Sequence, residues 1–247
     1  MVAVLVAGMA AGAINVVVGS GTLITFPTLL AFGVPPVTAN MSNTIGLVPG
    51  VASGIVGYRR ELAGQRARAM RLGSGSLIGG VVGAVLLLVL PAGAFGAIVP
   101  ALILVGLVLV VLQPRISAWV NARHEGATGA FGPWWVWPSV LGTGVYGGYF
   151  GAAQGVILMG ILGSGIDDSL QRLNGLKQVL AGLVNGVAGL IFVFVADVDW
   201  TVVLLIAVGS IMGGQLGATV GRRLSPLVLR VVIVIVGLIA LVSFLLK

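Results

Sequence analysis

Gly75-Ser-Leu-Ile-Gly-Gly-Val-Val-Gly-Ala84 returns 134 residues further on as Gly209-Ser-Ile-Met-Gly-Gly-Gln-Leu-Gly-Ala218, with six of ten positions identical. Three of the other four positions are apolar in both copies. The same offset, without a gap, sets Gly21 against Gly155 and Asn40 against Asn174. A chain of 247 residues that repeats at this distance reads as two copies of one unit. In membrane carriers such a duplication encloses a substrate site between its halves.

Composition places the chain in a membrane. Hydrophobic residues make up 58% and charged ones 8%, and the mean hydropathy is +1.17. A soluble domain carries roughly 25% charged residues. Residues 1–58 and 72–114 hold no charged side chain at all. Uncharged runs of ~20 residues cross a bilayer as helix, and in lipid the backbone must satisfy its own hydrogen bonds. The long Leu, Val, Ile and Ala runs lack the period-two alternation of a barrel strand. The sequence therefore predicts an all-α integral membrane protein.

Met1–Val18 resembles the apolar core of a signal peptide. It lacks a basic leader and runs on into the repeat at Gly19, so it is expected to stay in the mature chain. The absence of cysteine excludes disulfides and thiolate metal sites. The net charge is +7, and eleven of the thirteen basic residues are Arg, mostly at the ends of apolar runs. That is a topology signal and not a sign of nucleic acid.

Apolar segments fall at about 1–18, 37–57, 72–90, 95–113, 134–150, 173–195, 201–220 and 227–246. Two shorter stretches, 21–33 and 154–165, occupy matching places in the two copies. Each begins at or beside Gly and is broken by Pro or Gly, the pattern that marks a carrier's binding site. The expected organisation is membrane repeat 1 over 1–113, a cytoplasmic linker over 114–133 and membrane repeat 2 over 134–247.

Loop charges orient the halves. Arg59, Arg60, Arg66, Arg68 and Arg71 cluster near 58–71, whereas the equivalent stretch near 192–205 holds Asp197 and Asp199 and nothing basic. At the next loop the pattern reverses: 90–94 is neutral, and its counterpart starts with Arg222 and Arg223. Positive residues favour the cytoplasmic side, so matched loops lie on opposite sides and the repeats are inverted. With Arg115, Arg123 and His124 holding the linker inside, each half needs an odd number of segments. Five per half, with both termini outside, is the expected topology. Eight full crossings with 21–33 and 154–165 as re-entrant hairpins is the alternative.

Asn40, Asn43 and Thr44 share a face by i, i+3, i+4 spacing near the start of a charge-free helix. Neutral amides and hydroxyls can hold a small oxyanion without drawing a full charge into the membrane, and a helix N-terminus adds backbone donors. Equally, these groups can simply tie neighbouring helices together. Lys177 stands where repeat 1 has Asn43, one turn after Asn174 and beside Gln178. An ionisable residue within a span suggests function, and Lys177 would supply the fixed positive charge an anion needs. A snorkelling Lys, or one paired with Asp167 or Asp168 near Arg172, is the structural alternative. Ser20, Gly21, Thr22 and Thr25 lie in the first break, and Gln154 and Gly155 in the second. Backbone N–H groups at such breaks bind anions. Gly79, Gly83, Gly213 and Gly217 read as close-packing positions. Asn15, Asn185, Gln215, Tyr146 and Tyr149 read as lone packing hydrogen bonds, and Trp134, Trp135 and Trp137 as an interfacial belt.

An enzyme fits poorly. His124 is the only histidine, and the sequence holds no Ser–His dyad, no His-Glu-x-x-His motif and no nucleotide-binding Gly-x-x-x-x-Gly-Lys loop. No cofactor and no metal are expected.

Several motifs in order resemble the sulfite exporter TauE/SafE family. They are Gly19-Ser-Gly-Thr-Leu-Ile-Thr-Phe-Pro27, Gly33-Val-Pro-Pro36, a polar-started helix, Gly57-Tyr-Arg-Arg60 with its basic loop, and the duplicated Gly-Ser-x-x-Gly-Gly-x-x-Gly-Ala helix preceded in repeat 2 by Val198-Asp-Trp200. The chain departs from that pattern at Phe150-Gly-Ala-Ala-Gln-Gly155 and at Gly165-Ile-Asp-Asp168. The resemblance implies a multi-pass permease of the cell membrane, usually an exporter, for small sulfur-containing anions such as sulfite or organosulfonates. Its partners would be that anion and the lipid bilayer, with a homo-oligomer as an option. Alternating access between the repeats is the expected mechanism. A carrier or channel for another small solute or ion, or a non-transporting membrane scaffold, is the alternative function.

Overall fold

The computed structural model describes residues 1–122, 131–219 and 226–245. Arg123, His124, Arg222 and Arg223 lie outside the described residues. Ten helices are seen: α1 (Val2–Val17), α2 (Thr22–Ala31), α3 (Pro36–Gly57), α4 (Arg66–Val89), α5 (Ala92–Ala122), α6 (Val136–Tyr149), α7 (Gln154–Gly165), α8 (Leu170–Val195), α9 (Trp200–Thr219) and α10 (Pro226–Leu245). The starts of α3, α4 and α5 fall on those of α8, α9 and α10 when shifted by the sequence offset, and α1 and α2 match α6 and α7 within two residues. Residues 114–122 of the expected linker extend α5, which carries Pro100 and Pro114 inside it.

Four helical stretches are long and apolar enough to span a bilayer: Arg66–Val89, Gly93–Trp119, Leu170–Val195 and Trp200–Thr219. By contrast α2 and α7 have 10 and 12 residues, or about 15 and 18 Å against a hydrocarbon core of about 30 Å.

The halves interlock: α1 packs on α9 and α6 on α4, while α3 crosses α8. Glycine contacts give the directions. Gly8 faces Ile206, Gly12 faces Ser210 and Gly217 faces Ala13, so α1 and α9 run parallel. In the same way Gly75 faces Trp137 and Gly83 faces Val145, which makes α4 and α6 parallel. Gly46 meets Ile206 and Gly57 meets Ala218, aligning α3 with α9. Gly189 meets Ile45 whereas Gly175 meets Tyr58, so α3 and α8 are antiparallel. With Gly73 facing Leu183 and Gly80 facing Val187, α4 also runs with α8. Equivalent helices therefore point in opposite directions, and the repeats are inverted.

Both short helices fold back on the helix before them. Gly21, at the start of α2, lies against Ala11 in the middle of α1, and the end of α7 at Gly165 returns to Val136 at the start of α6. Direction thus alternates from helix to helix, as an odd number of segments per half requires.

Close approach at the repeated motif depends on the missing side chains. A Cβ on Gly79, Gly83 or Gly213 would lie 2.3, 2.1 or 1.9 Å from the carbonyl oxygens of Leu141, Val145 and Met9. Backbones that close make dispersion contacts, which drive helix association where lipid removes the hydrophobic term. The outer surface is apolar: Leu77, Val81, Leu104, Val108, Leu204, Val208, Ile235 and Ile239 are 40–63% exposed. Such a belt belongs against lipid.

Arg59, Arg60, Arg66, Arg68 and Arg71 lie at the end where α3 finishes and α4 begins, and Asp197 and Asp199 precede α9 at the opposite end. By the positive-inside rule the arginine end is the expected cytoplasmic end. At the other end the Asp199 carboxylate accepts from the Thr201 and Val202 amides at 3.0 and 3.1 Å, capping α9, while Trp200 is half-exposed beside it.

Candidate substrate site at the two helix breaks

The breaks between α1 and α2 and between α6 and α7 meet backbone to backbone. The Gly155 amide donates to the Gly19 carbonyl at 3.1 Å, and a Cβ on Gly19 would lie 2.5 Å from the Gly155 Cα. Positive φ turns the chain in both: Gly19 at 83° and its offset partner Ala153 at 58°, with Gly151 at 74°. Glycine adopts this conformation freely, whereas alanine does so at a cost.

Beside this junction is a small polar cavity. Asn15 of α1 lines it, with Gly19 and Thr22 from the first break and Gly151, Gln154 and Gly155 from the second. From α8 come Lys177, Gln178, Ala181 and Asn185. Lys177 is 1% exposed, two turns into α8 from the cytoplasmic end. Its Nζ donates to the Val16 carbonyl at 3.4 Å, and Gln178 Nε2 donates to the same carbonyl at 2.8 Å. A helix ends with unsatisfied carbonyls and a partial negative charge, so α8 caps α1 here. An ammonium has three donors, and among the described residues no carboxylate forms an ion pair with this one. Gln154 Nε2, which also reaches the cavity, is buried without a hydrogen-bond partner, as is Ser20 Oγ in the first break.

The expected site residues divide. Thr22, Gln154, Gly155, Lys177 and Gln178 come together around the cavity, whereas Asn40, Asn43, Thr44, Asn174, Ser20 and Gly21 do not line it. Asn40 Nδ2 donates to the Tyr149 carbonyl at 2.9 Å and so caps α6. Asn43 bonds Thr25 and donates to Thr22 Oγ at 3.3 Å, one residue removed from the cavity. Thr44 Oγ donates to its own helix at the Asn40 carbonyl. Asn174 Nδ2 donates to Tyr58 Oη at 2.7 Å, near the cytoplasmic surface. The Gly21 amide donates to Asn15 Oδ1 at 3.4 Å. Asn15 and Asn185 line the cavity although each reads in sequence as a lone packing residue. No sequence signal singles them out, since the offset pairs Asn15 with Tyr149 and Asn185 with Val51. The place related by the repeat is mixed in character, with Tyr149, Val156, Leu47 and Val51 beside the polar Ser20, Asn43 and Thr44, and it holds no charged side chain.

Toward the cytoplasm, Asp168 joins the halves. It accepts from Arg68 at 2.7 Å and from Arg172 at 2.8 Å. Burial alone would raise its pKa, but the hydrogen bonds from Arg68, Arg172 and the Ser169 amide outweigh it and hold the carboxyl below its ordinary value. Arg172 also donates to the Ala63 carbonyl and is thereby turned away from Lys177's cavity.

Residues 4–244 match the family model described as sulfite exporter TauE/SafE. The chain belongs to the sulfite exporter TauE/SafE family. Similar proteins are named as probable membrane transporters. "Probable membrane transporter protein ORF9" of a Sinorhizobium species is 27% identical over 237 residues, covering 94% of this chain and 87% of that one. A "Probable membrane transporter protein" of Haemophilus influenzae is 24% identical, covering 93% and 88%. "Probable membrane transporter protein YfcA" of Escherichia coli K12 is also 24% identical, covering 93% and 83%. No solved structure matches. This TauE/SafE member is a multi-pass protein of the cell membrane, and its kinship is with transporters.

Proposed function

We propose that this protein is a secondary transporter for small sulfur-containing anions, sulfite or organosulfonates, working by alternating access between its inverted repeats. One observation carries the reading: a fully buried lysine with no described carboxylate paired to it faces a cavity otherwise lined by neutral amides, a hydroxyl and glycine backbone. A charge in that setting is costly to bury, and an anionic substrate offsets the cost. Lys177 supplies attraction, and Gln154, Gln178, Asn15, Asn185 and Thr22 supply hydrogen bonds that fix orientation. Asn40, Asn43, Thr44, Asn174 and Gly21 hold the surrounding helices, and Ser20, with its Oγ unpaired, stands in the first break beside the path.

Because the repeats interlock, each moving unit draws on both of them: α1 packed with α9 moves against α6 packed with α4, about the junction of the breaks. The test is flux in reconstituted vesicles with sulfite, sulfoacetate, thiosulfate and sulfate. Uptake of at least one sulfur anion, lost in Lys177→Ala, is expected. Absence of flux for every one of them overturns the proposal.

A further inference from the structure

We infer that the cavity selects singly charged anions over doubly charged ones, an inference that rests on the transport reading above and narrows its substrate class. The charge around the cavity can be summed from its parts. Four helix ends converge on the breaks: the C-termini of α1 and α6 and the N-termini of α2 and α7. Each end carries about half an elementary charge, negative at a C-terminus and positive at an N-terminus, so the four cancel. Every lining side chain other than Lys177 is neutral.

No arginine lines the cavity, and two on α4 and α8 are committed elsewhere: Arg68 and Arg172 both bind Asp168, and Arg172 also bonds the Ala63 carbonyl. From α1 the groups facing Lys177 are backbone carbonyls. From the second break they are Gln154 and glycine backbone. The site thus holds one positive charge. A monoanion neutralises it. A dianion leaves one uncompensated negative charge in a medium of low dielectric, which is strongly unfavourable.

The offset sharpens the point, because repeat 1 has Asn43 where repeat 2 has Lys177. Duplication could have placed a lysine at both equivalent positions, but only repeat 2 carries one there.

Methanesulfonate and sulfate separate charge from shape, since they are tetrahedral, close in size and differ by one charge. The purified protein in vesicles is expected to move methanesulfonate about tenfold faster than sulfate or more, and methanesulfonate is expected to compete better against labelled sulfite. Asn185→Lys, which adds a second cation to the lining, is expected to bring the two rates together or reverse their order. Equal or faster sulfate flux in the unaltered protein overturns the inference while leaving the transport reading intact. Movement and binding of neither ion, with sulfite also excluded, overturns both. Should Asn185→Lys fail to fold, the comparison in the unaltered protein decides alone.

Discussion

Lys177 Nζ donates to the Val16 carbonyl at 3.4 Å, so the one charged side chain buried among the described residues caps a helix belonging to the other repeat. The same ammonium serves structure and, in the proposed function, substrate. The two roles can be separated by what replaces it. Lys177→Gln keeps a donor for the carbonyl and removes the charge. Folding, followed by thermal unfolding in detergent, is expected to suffer little, whereas flux falls by about thirtyfold or more, as loss of a buried charge partner costs ~2 kcal/mol at the least. Retained flux in a folded Lys177→Gln protein would leave the lysine as a cap only.

The glycine contacts predict a sharp contrast within one residue type. Gly213→Ala and Gly83→Ala place a methyl 1.9 and 2.1 Å from carbonyl oxygens of the neighbouring helix. Backbones must separate, and the loss is expected to exceed ~3 kcal/mol, near the upper range for overpacking. Gly142→Ala and Gly186→Ala meet nothing within 4 Å. In a helix that exchange is worth ~0.5–1 kcal/mol in the stabilising direction. Unfolding midpoints of the four proteins in one detergent check the sign of each.

Ala153 is the non-glycine residue with positive φ among those described. Ala153→Gly removes the Cβ that opposes this conformation and is expected to raise stability by about 1 kcal/mol. Its offset partner behaves in the opposite way. Gly19→Ala adds that penalty to a clash of 2.5 Å with the Gly155 Cα, and loss of folded protein in size-exclusion profiles is expected.

The Asp168 carboxyl is held below its ordinary value of 3.8, so its contribution to stability is present at neutral pH. It is lost as pH falls below that value and through the lower folded one. Unfolding midpoints measured from pH 7 downward are expected to fall more steeply in the unaltered protein than in Asp168→Asn. At pH 7 the variant is expected to be less stable by about 1 kcal/mol, since the ion pairs are partly exposed.

Orientation in the membrane can be read directly in cells, because the chain has no cysteine of its own. Phe32→Cys and Ala63→Cys place thiols at exposed positions on opposite ends of the bundle. A membrane-impermeant maleimide applied to intact cells is expected to label the first and spare the second. The reverse pattern would invert the assigned topology.

Much of this architecture was visible in sequence because its signals are local or repeated. The breaks announce themselves through Gly19, Gly21, Gly151 and Gly155, and the 134-residue offset aligns them. The end of α5 was hidden because Pro114 and Arg115 close the apolar run, yet a helix can continue through a proline when its surroundings support it. Asn40, Asn43 and Thr44 illustrate a different limit. Their spacing places them on one face, but spacing does not say which neighbour that face meets, and here it meets α2 and the end of α6. Asn15 and Asn185 lie far apart in the chain and belong to no motif. Only the meeting of the end of α1 with side chains of α8 brings them to one cavity.

The hydrogen bond from Gly155 to Gly19 has a bearing on how such a chain can have diverged. Each copy of the ancestral unit supplies half of this central contact, and a methyl on either glycine would strike the backbone of the other copy within 2.6 Å. The copies therefore differ beside this point, with Lys177 in one and Asn43 in the other, whereas the point of touch itself leaves no room for a side chain. The contact is itself one-sided, since the offset pairs Gly19 with Ala153 and Gly155 with Gly21, whose amide bonds Asn15 instead.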